Sequence, residues 1–431
     1  MDPSSKITTK QMIVSGLALF AIFFGAGNLV LPPMMGLKAG ASWPIALIGF
    51  LLSEIVFIFI GFQSAIFCNG DMREFGKKYS KNFGVLLGVV IMLLIGPIIA
   101  IPRTAATTFE MSVLPFFPDF NHILFSLIFF ALTFFFSING SSVVDFIGNY
   151  MTPALLFILI VILVKGIISP LAPSTQAVGQ QLGAGFVEGY QTMDAITSVI
   201  MASTFITYFR DLGIKDTKEM SWTMTRVCGI ACLLLGLVYG GLTYLGAIST
   251  SFGDPSMQRT ELLTKIVGLT MGSFGNIALG LCTFLACLTT SVGLTHATSS
   301  FFQDFTKGKI PYKFMVIVTT LVACVISLLG VDQIIALSAP LLSVVYPVMI
   351  LLTILNLLDH GRISHWIYKF SVSFTFIASI VDGIRAYGFK DLSLVKAFDH
   401  IPLAQYGFSW IFFSLVGIGL GFLVSRLKEK N

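Results

Sequence analysis

Apolar runs of about twenty residues, the length a helix needs to cross a bilayer, recur along this chain between short polar connections. Twelve are predicted: 11–35, 41–68, 83–109, 121–138, 144–168, 186–209, 223–248, 273–302, 314–330, 333–358, 365–387 and 407–426. Two of them break the pattern. The first is interrupted near its middle by Gly25-Ala26-Gly27-Asn28 and then by Pro32-Pro33. Each glycine costs a helix about 1 kcal/mol and each proline about 3 kcal/mol, and hydrocarbon offers no partner for the backbone groups so freed. The sixth opens Phe186-Val-Glu188-Gly189-Tyr190-Gln191-Thr192-Met193-Asp194 and puts two acids and a glycine where a spanning helix is expected. The two interrupted spans lie five apart, an odd number, so a repeat of spans 1–5 by spans 6–10 must run through the bilayer upside down. Residues 1–168 and 186–358 are predicted as two inverted repeats, with 359–431 as two additional C-terminal spans and a tail. No extended identity joins the halves; the matching positions of the breaks carry the division.

Composition supports a chain with nothing soluble left to place. Of 431 residues, 55% are hydrophobic and 11% charged, against roughly 25% charged in soluble domains. The expected fold class is an all-α polytopic membrane protein. An even number of spans puts both termini on one side, and with the N-terminus inside, 18 of the 26 basic residues fall on inner segments. Both termini are therefore expected in the cytoplasm. The first apolar run lacks a small-residue cleavage site, so no removable leader is expected.

The net charge of +5 is spread over short loops, which speaks against nucleic-acid binding. The six cysteines lie in or beside apolar segments and read as small packing residues. The five histidines are scattered, giving neither a zinc pattern nor a Ser-His-Asp arrangement, and no Gly-x4-Gly-Lys-Ser/Thr phosphate loop occurs. Neither an enzyme nor an ATPase is expected, and no obligate protein partner is evident. Uphill transport by such a chain would draw on an ion gradient.

The candidate chemistry sits at the breaks. The half-helix after Gly25-Ala26-Gly27-Asn28 begins with unpaired N–H groups and a partial positive charge, suited to a carboxylate. The carbonyls just before it, around Ala21 to Phe24, face the other way and suit a cation; the plain alternative is a kink that packs closely. Asp194 lies deep in the sixth span and is a functional candidate, either holding the second break or joining an ion or proton path, whereas Glu188 is either a functional group of the same kind or an ordinary wet acid near the outer rim. In the eighth span Ala286-Cys-Leu-Thr289-Thr290-Ser291 stacks three hydroxyls, which more often bond back to their own helix. Joined to the first-span carbonyls they make a neutral-oxygen cage for Na+. Arg103, after the bend at Gly96-Pro97, either snorkels to the outer interface or acts in gating. Glu54, Glu110 and Asp145 have no nameable partner.

Taken together, Phe23-Phe-Gly-Ala-Gly-Asn28 with Pro32-Pro33 and Gly36-Leu-Lys-Ala-Gly40, Gly96-Pro97 through Ile101-Pro-Arg103-Thr-Ala105, and Glu188-Gly-Tyr-x-Thr-Met-Asp-Ala195 resemble the bacterial branched-chain amino acid:cation symporters. That family belongs to the amino acid–polyamine–cation superfamily. The resemblance spans nearly the whole chain and implies the leucine-transporter fold, with broken helices 1 and 6. It also implies the bacterial inner membrane, and uptake of leucine, isoleucine and valine coupled to Na+ or, in some members, H+. On that resemblance the substrate site comprises Gly25, Ala26, Gly27, Asn28, Tyr190, Thr192, Met193 and Asp194. The amides of Ala26, Gly27 and Asn28 would receive the carboxylate, and carbonyls of the Tyr190–Ala195 segment the ammonium. The Na+ ligands would be the carbonyls of Ala21, Phe24 and Ala286 with the hydroxyls of Thr289 and Thr290. Asp194 departs from the neutral residue of many sodium-coupled relatives and leaves the ion stoichiometry open. The alternatives are a proton-coupled neutral amino acid carrier and a different small-solute carrier on the same scaffold.

Overall fold

Helices begin where the sequence supplies a side chain to accept the first free amides. Thr8 and Gln11 cap each other's backbone at the start of α1 (Thr9–Phe23), Ser80 accepts from Phe83 N–H, and Asp216 accepts from Glu219 N–H at 3.0 Å. The computed structural model describes residues 7–68, 72–138, 152–168, 181–359, 361–404 and 408–429, and among these all regular structure is helical. After α1 come α2 (Ala26–Ala39), α3 (Trp43–Phe67), α4 (Lys81–Val113), α5 (His122–Ile138) and α6 (Thr152–Ile168). Then follow α7 (Gln181–Gly189), α8 (Asp194–Asp211), α9 (Thr217–Ala247), α10 (Arg259–Phe305), α11 (Tyr312–Ser327), α12 (Val331–Leu358), α13 (His365–Ala386) and α14 (Ser409–Glu429).

Among the described residues seven helices are long and apolar enough to cross a membrane, or eight if α1 and α2 form one bent span. The apolar stretches in α5, α6 and α11 are shorter, and the predicted sixth span is divided between α7 and α8. Apart from the two breaks and a few residues at span ends, each predicted span overlies helix wherever it is described; part of the fifth, with Asp145, lies outside the described residues. The predicted start of the eighth span at 273 coincides with a break inside α10 at Gly272, whose left-handed backbone (φ 67) is one that glycine adopts without steric cost.

The first break falls between Phe23 and Ala26, where α1 and α2 meet at 71°. Pro32 and Pro33 do not end α2 but lie within it, so the carbonyls of Asn28 and Leu29 lose the amides that would normally bond them. Residues Ala26–Leu37 are all buried, which makes α2 a core helix rather than an amphipathic one. It reaches its neighbour α9 through small residues: a Cβ on Gly36 would strike the Thr243 carbonyl, and one on Gly246 the Pro33 carbonyl. Close backbone contact of this kind replaces the hydrophobic drive that lipid cannot supply.

The second break lies between α7 and α8. A 3-10 turn, Tyr190–Thr192, leads into Met193 at φ 68, ψ 8, and α8 starts at Asp194. Both halves rest on α3: Gly185 and Gly49 bring α7 against it, and Gly61 brings it against Ser198 of α8. A π-helical turn, Leu52–Val56, interrupts α3 at this level and carries Glu54. In α4 a second such turn, Leu94–Ile98, contains Pro97 and the non-helical Gly96, and it sets the orientation of the stretch bearing Arg103.

A cavity between two broken helices

The two breaks face one buried cavity. Its wall includes Gly25, Ala26, Gly27 and Asn28 from the first break, Thr192, Met193 and Asp194 from the second, and Arg103, Thr104 and Ala100 from α4. Ile22, Phe23, Thr197, Thr290 and Leu294 complete it. Gly25 precedes α2 in extended backbone with no side-chain cap, so the first amides of α2 have no partner from the sequence around them. Seven of the eight residues expected around a substrate are thus gathered in one wall. Tyr190 is the exception. Its side chain turns away and stacks on Tyr346, ring centroids 4.4 Å apart.

Polar side chains tie the two breaks together behind this wall. The Asn28 amide donates to Asp194 Oδ2 at 2.6 Å and also to the Tyr239 hydroxyl. Thr192 Oγ1 donates to Glu54 Oε2 at 2.5 Å, and Tyr239 to Glu54 Oε1 at 3.5 Å. The carboxyl groups of Glu54 and Asp194 lie within hydrogen-bond reach of one another. Glu54 is 0% and Asp194 6% exposed. Buried groups of this kind need every partner they have. Glu54, for which the sequence offered no partner, has three. Tyr239 sits in an apolar helix with no local motif, and only the packing of α9 on α2 brings it here; the single acid in an otherwise apolar third helix was the one legible signal for Glu54.

Arg103 does not reach an interface. It is 3% exposed and lies across the cavity, with Nη1 donating to the Gln191 carbonyl at 2.5 Å and Nη2 to the Thr192 carbonyl at 3.4 Å. The bend at Gly96-Pro97 turns this stretch of α4 inward. The Gln191 side chain is itself fixed by the Ser338 hydroxyl, 2.8 Å from its Oε1.

The expected cation ligands are only partly brought together. Thr290 lines the cavity, next to Gly25, and its buried Oγ1 has no hydrogen-bond partner. Thr289 Oγ1 donates back to the Ala286 carbonyl at 2.7 Å, the bond that a hydroxyl in an apolar helix usually makes, and Ser291 faces Thr133. Ala21, Phe24, Ala286 and Thr289 are not part of the cavity wall. At the first break Phe24 N–H still bonds to Phe20 O at 2.8 Å, and beyond it the last carbonyls of α1 lose the amides of a continuing helix.

The remaining acids serve the frame. Glu110 accepts from Thr260 Oγ1 at 2.6 Å and from Val331 N–H at 2.9 Å, capping the start of α12. Glu188 pairs with Arg259 at 3.3 Å, and Arg259 also holds Asp332 at 2.7 Å.

A family model described as "Branched-chain amino acid transport protein" matches residues 8–428. Two proteins of Bacillus subtilis (strain 168) align over almost their full length. The branched-chain amino acid permease BraB is 34% identical, covering 97% of this chain and 96% of that protein. The branched-chain amino acid permease BrnQ is 32% identical, covering 99% of this chain and 100% of that protein. Among solved structures, Mhp1, a nucleobase-cation-symport-1 family transporter in a closed conformation with bromovinylhydantoin bound, superposes with a TM-score of 0.63 at 12% identity. It covers 97% of this chain and 92% of that one. The fold is of the leucine-transporter kind.

Proposed function

The chain belongs to the branched-chain amino acid transport family, a family of permeases rather than enzymes, and on that premise we propose that it imports leucine, isoleucine and valine by secondary symport with Na+. One observation carries this reading. The amide-rich start of α2 and Thr192 line the same buried cavity, and Arg103 in its wall holds the carbonyls of Thr192 and of the adjoining Gln191, so that groups of opposite polarity suited to the two ends of a zwitterion lie at one site. The aliphatic side chain would then lie against apolar wall such as Ile22, Phe23 and Leu294. Alternating access would come from movement of the two inverted repeats, 1–168 and 186–358, around this fixed site, in the bacterial inner membrane with both termini cytoplasmic.

For Na+, the supporting feature is Thr290, whose unpartnered buried hydroxyl stands beside the carbonyl end of α1. Loading would require Thr289 to release the Ala286 carbonyl, so that both oxygens and those of Ala21 and Phe24 turn to the ion. A second reading, coupling to H+, is favoured by the contact between Glu54 and Asp194, an arrangement that a shared proton satisfies. Proteoliposomes separate the two. Under an imposed inward Na+ gradient labelled leucine should accumulate, with valine and isoleucine competing and alanine and uracil competing poorly. Accumulation driven by a proton gradient alone would replace Na+ with H+, and saturable uptake of uracil in preference to leucine would reject the substrate class.

A further inference from the structure

The cavity holds one full charge to which the reading above gives no task. Arg103 is buried, and among the described residues no carboxylate comes within ion-pair distance of it. Its partners are two main-chain carbonyls, Gln191 and Thr192. A guanidinium has five N–H donors in a fixed fork, and here the Nε–H is buried with no acceptor. The group also rests on the first turn of α2: a Cβ on Gly27 would stand 2.7 Å from Nη2 and 2.9 Å from Cζ. A cation there faces the positive end of the helix, which is the unfavourable sense of that interaction. Two positive features therefore meet in the cavity wall, where the nearby acid Asp194 accepts from Asn28 rather than from Arg103, and one anion at that point would satisfy both.

We propose that Arg103 is the receptor for the substrate's carboxylate, and that in the empty carrier its guanidinium stands where the substrate's ammonium will go. An incoming zwitterion exchanges cation for cation at the Gln191 and Thr192 carbonyls. The displaced guanidinium, with its free Nε–H, turns to the carboxylate that the α2 amides also receive. A ligand must then bring both charges. An amine without a carboxylate has to evict Arg103 from its carbonyls and offers it nothing in return. A carboxylate without an amine leaves Arg103 on the carbonyls and out of position. The inference rests on the proposed amino acid substrate and deepens it, since it assigns the discrimination for a free α-carboxylate to one side chain.

Binding of labelled leucine to the purified full chain in nanodiscs, with leucinamide as the competitor lacking a charged carboxylate, tests it. The wild type should prefer leucine to leucinamide by at least tenfold, about the value of one charge-assisted hydrogen-bonded pair. Arg103→Gln should weaken leucine by that factor while leaving leucinamide unchanged or improved, so that the preference collapses. Arg103→Lys should fall between, because a point charge lacks the fork. Equal weakening of both ligands in Arg103→Gln would mean that the residue only shapes the cavity, and would overturn the assignment. Should Arg103→Gln not remain monodisperse, the wild type and Arg103→Lys decide: a wild type that binds leucinamide as tightly as leucine also overturns it. A wild type that binds neither ligand removes the proposed substrate itself, a separate and distinguishable failure.

Discussion

The two breaks solve the same problem with opposite means. At the first, glycines occupy a backbone that does not need them: Gly25 is extended, with φ −116 and ψ −162, and Gly27 is within a helix. At the second, a methionine holds a left-handed conformation, φ 68 at Met193, which costs a side-chain-bearing residue roughly 1–2 kcal/mol. The glycines of the first break are there for space. A Cβ on Gly25 would press on Thr290 and one on Gly27 on Arg103. The strain of the second break is borne by its neighbours. Arg103 holds its carbonyls, Thr192 bonds to Glu54 and to the Gly189 carbonyl, and Thr197 Oγ1 donates to Met193 O at 2.9 Å. One break is a vacancy kept clear for groups from other helices, and the other is a bend that other helices keep bent.

Substitutions at three positions would sharpen or destroy that contrast. Gly27→Val should abolish leucine binding while the protein still reaches the membrane, because its Cβ and methyls fill the space of the guanidinium. Normal uptake by this variant would show that the first break is not kept for space. Asn28→Ala removes the amide that joins α2 to Asp194 and Tyr239 and leaves buried acceptors short of a donor. It should weaken leucine binding by roughly tenfold to a hundredfold, for a lost charge-assisted bond of about 1.5–3 kcal/mol, as read by equilibrium binding. The smallest effect belongs to the second break. Met193→Ala and Met193→Gly both lose a buried side chain, but only glycine relieves the left-handed strain. Thermal unfolding in detergent should therefore rank the glycine variant above the alanine one by about 1 kcal/mol. The reverse order would mean that Met193 is unstrained.

The breaks themselves were readable in the chain because each concentrates residues that a spanning helix cannot use cheaply. Gly25-Ala26-Gly27-Asn28 marked its position closely. Pro32 and Pro33 overstated the damage, since each removes one backbone bond and α2 continues through both. For Arg103 the sequence leaves an interface and a gating role equally open, because long cations near helix ends usually reach water and nothing local shows that the stretch after the π-turn at Leu94–Ile98 faces inward. Tyr190 belongs to the segment whose carbonyls the resemblance offers to the ammonium, and what the sequence does not show is the direction of its ring, which a 3-10 turn carries to Tyr346. Glu54 and Tyr239 show the general limit. Each is an isolated polar residue in an apolar helix, and its partners lie 138 or more residues away in sequence.

Arg259 joins Glu188, on the first half of the broken sixth span, to Asp332 in the first turn of α12, and the three side chains are between 17% and 35% exposed. Any swing of α7 therefore pulls on a contact made of charge and only partly buried, while the polar contacts around the cavity are buried. The screening length of salt is about 10 Å at 0.1 M and shortens as salt rises, so a partly exposed ion pair weakens with added salt while buried bonds are screened much less. The ionic strength around Arg259 thus bears on how firmly α7 is tied to α12, through a contact that shares no residue with the cavity wall.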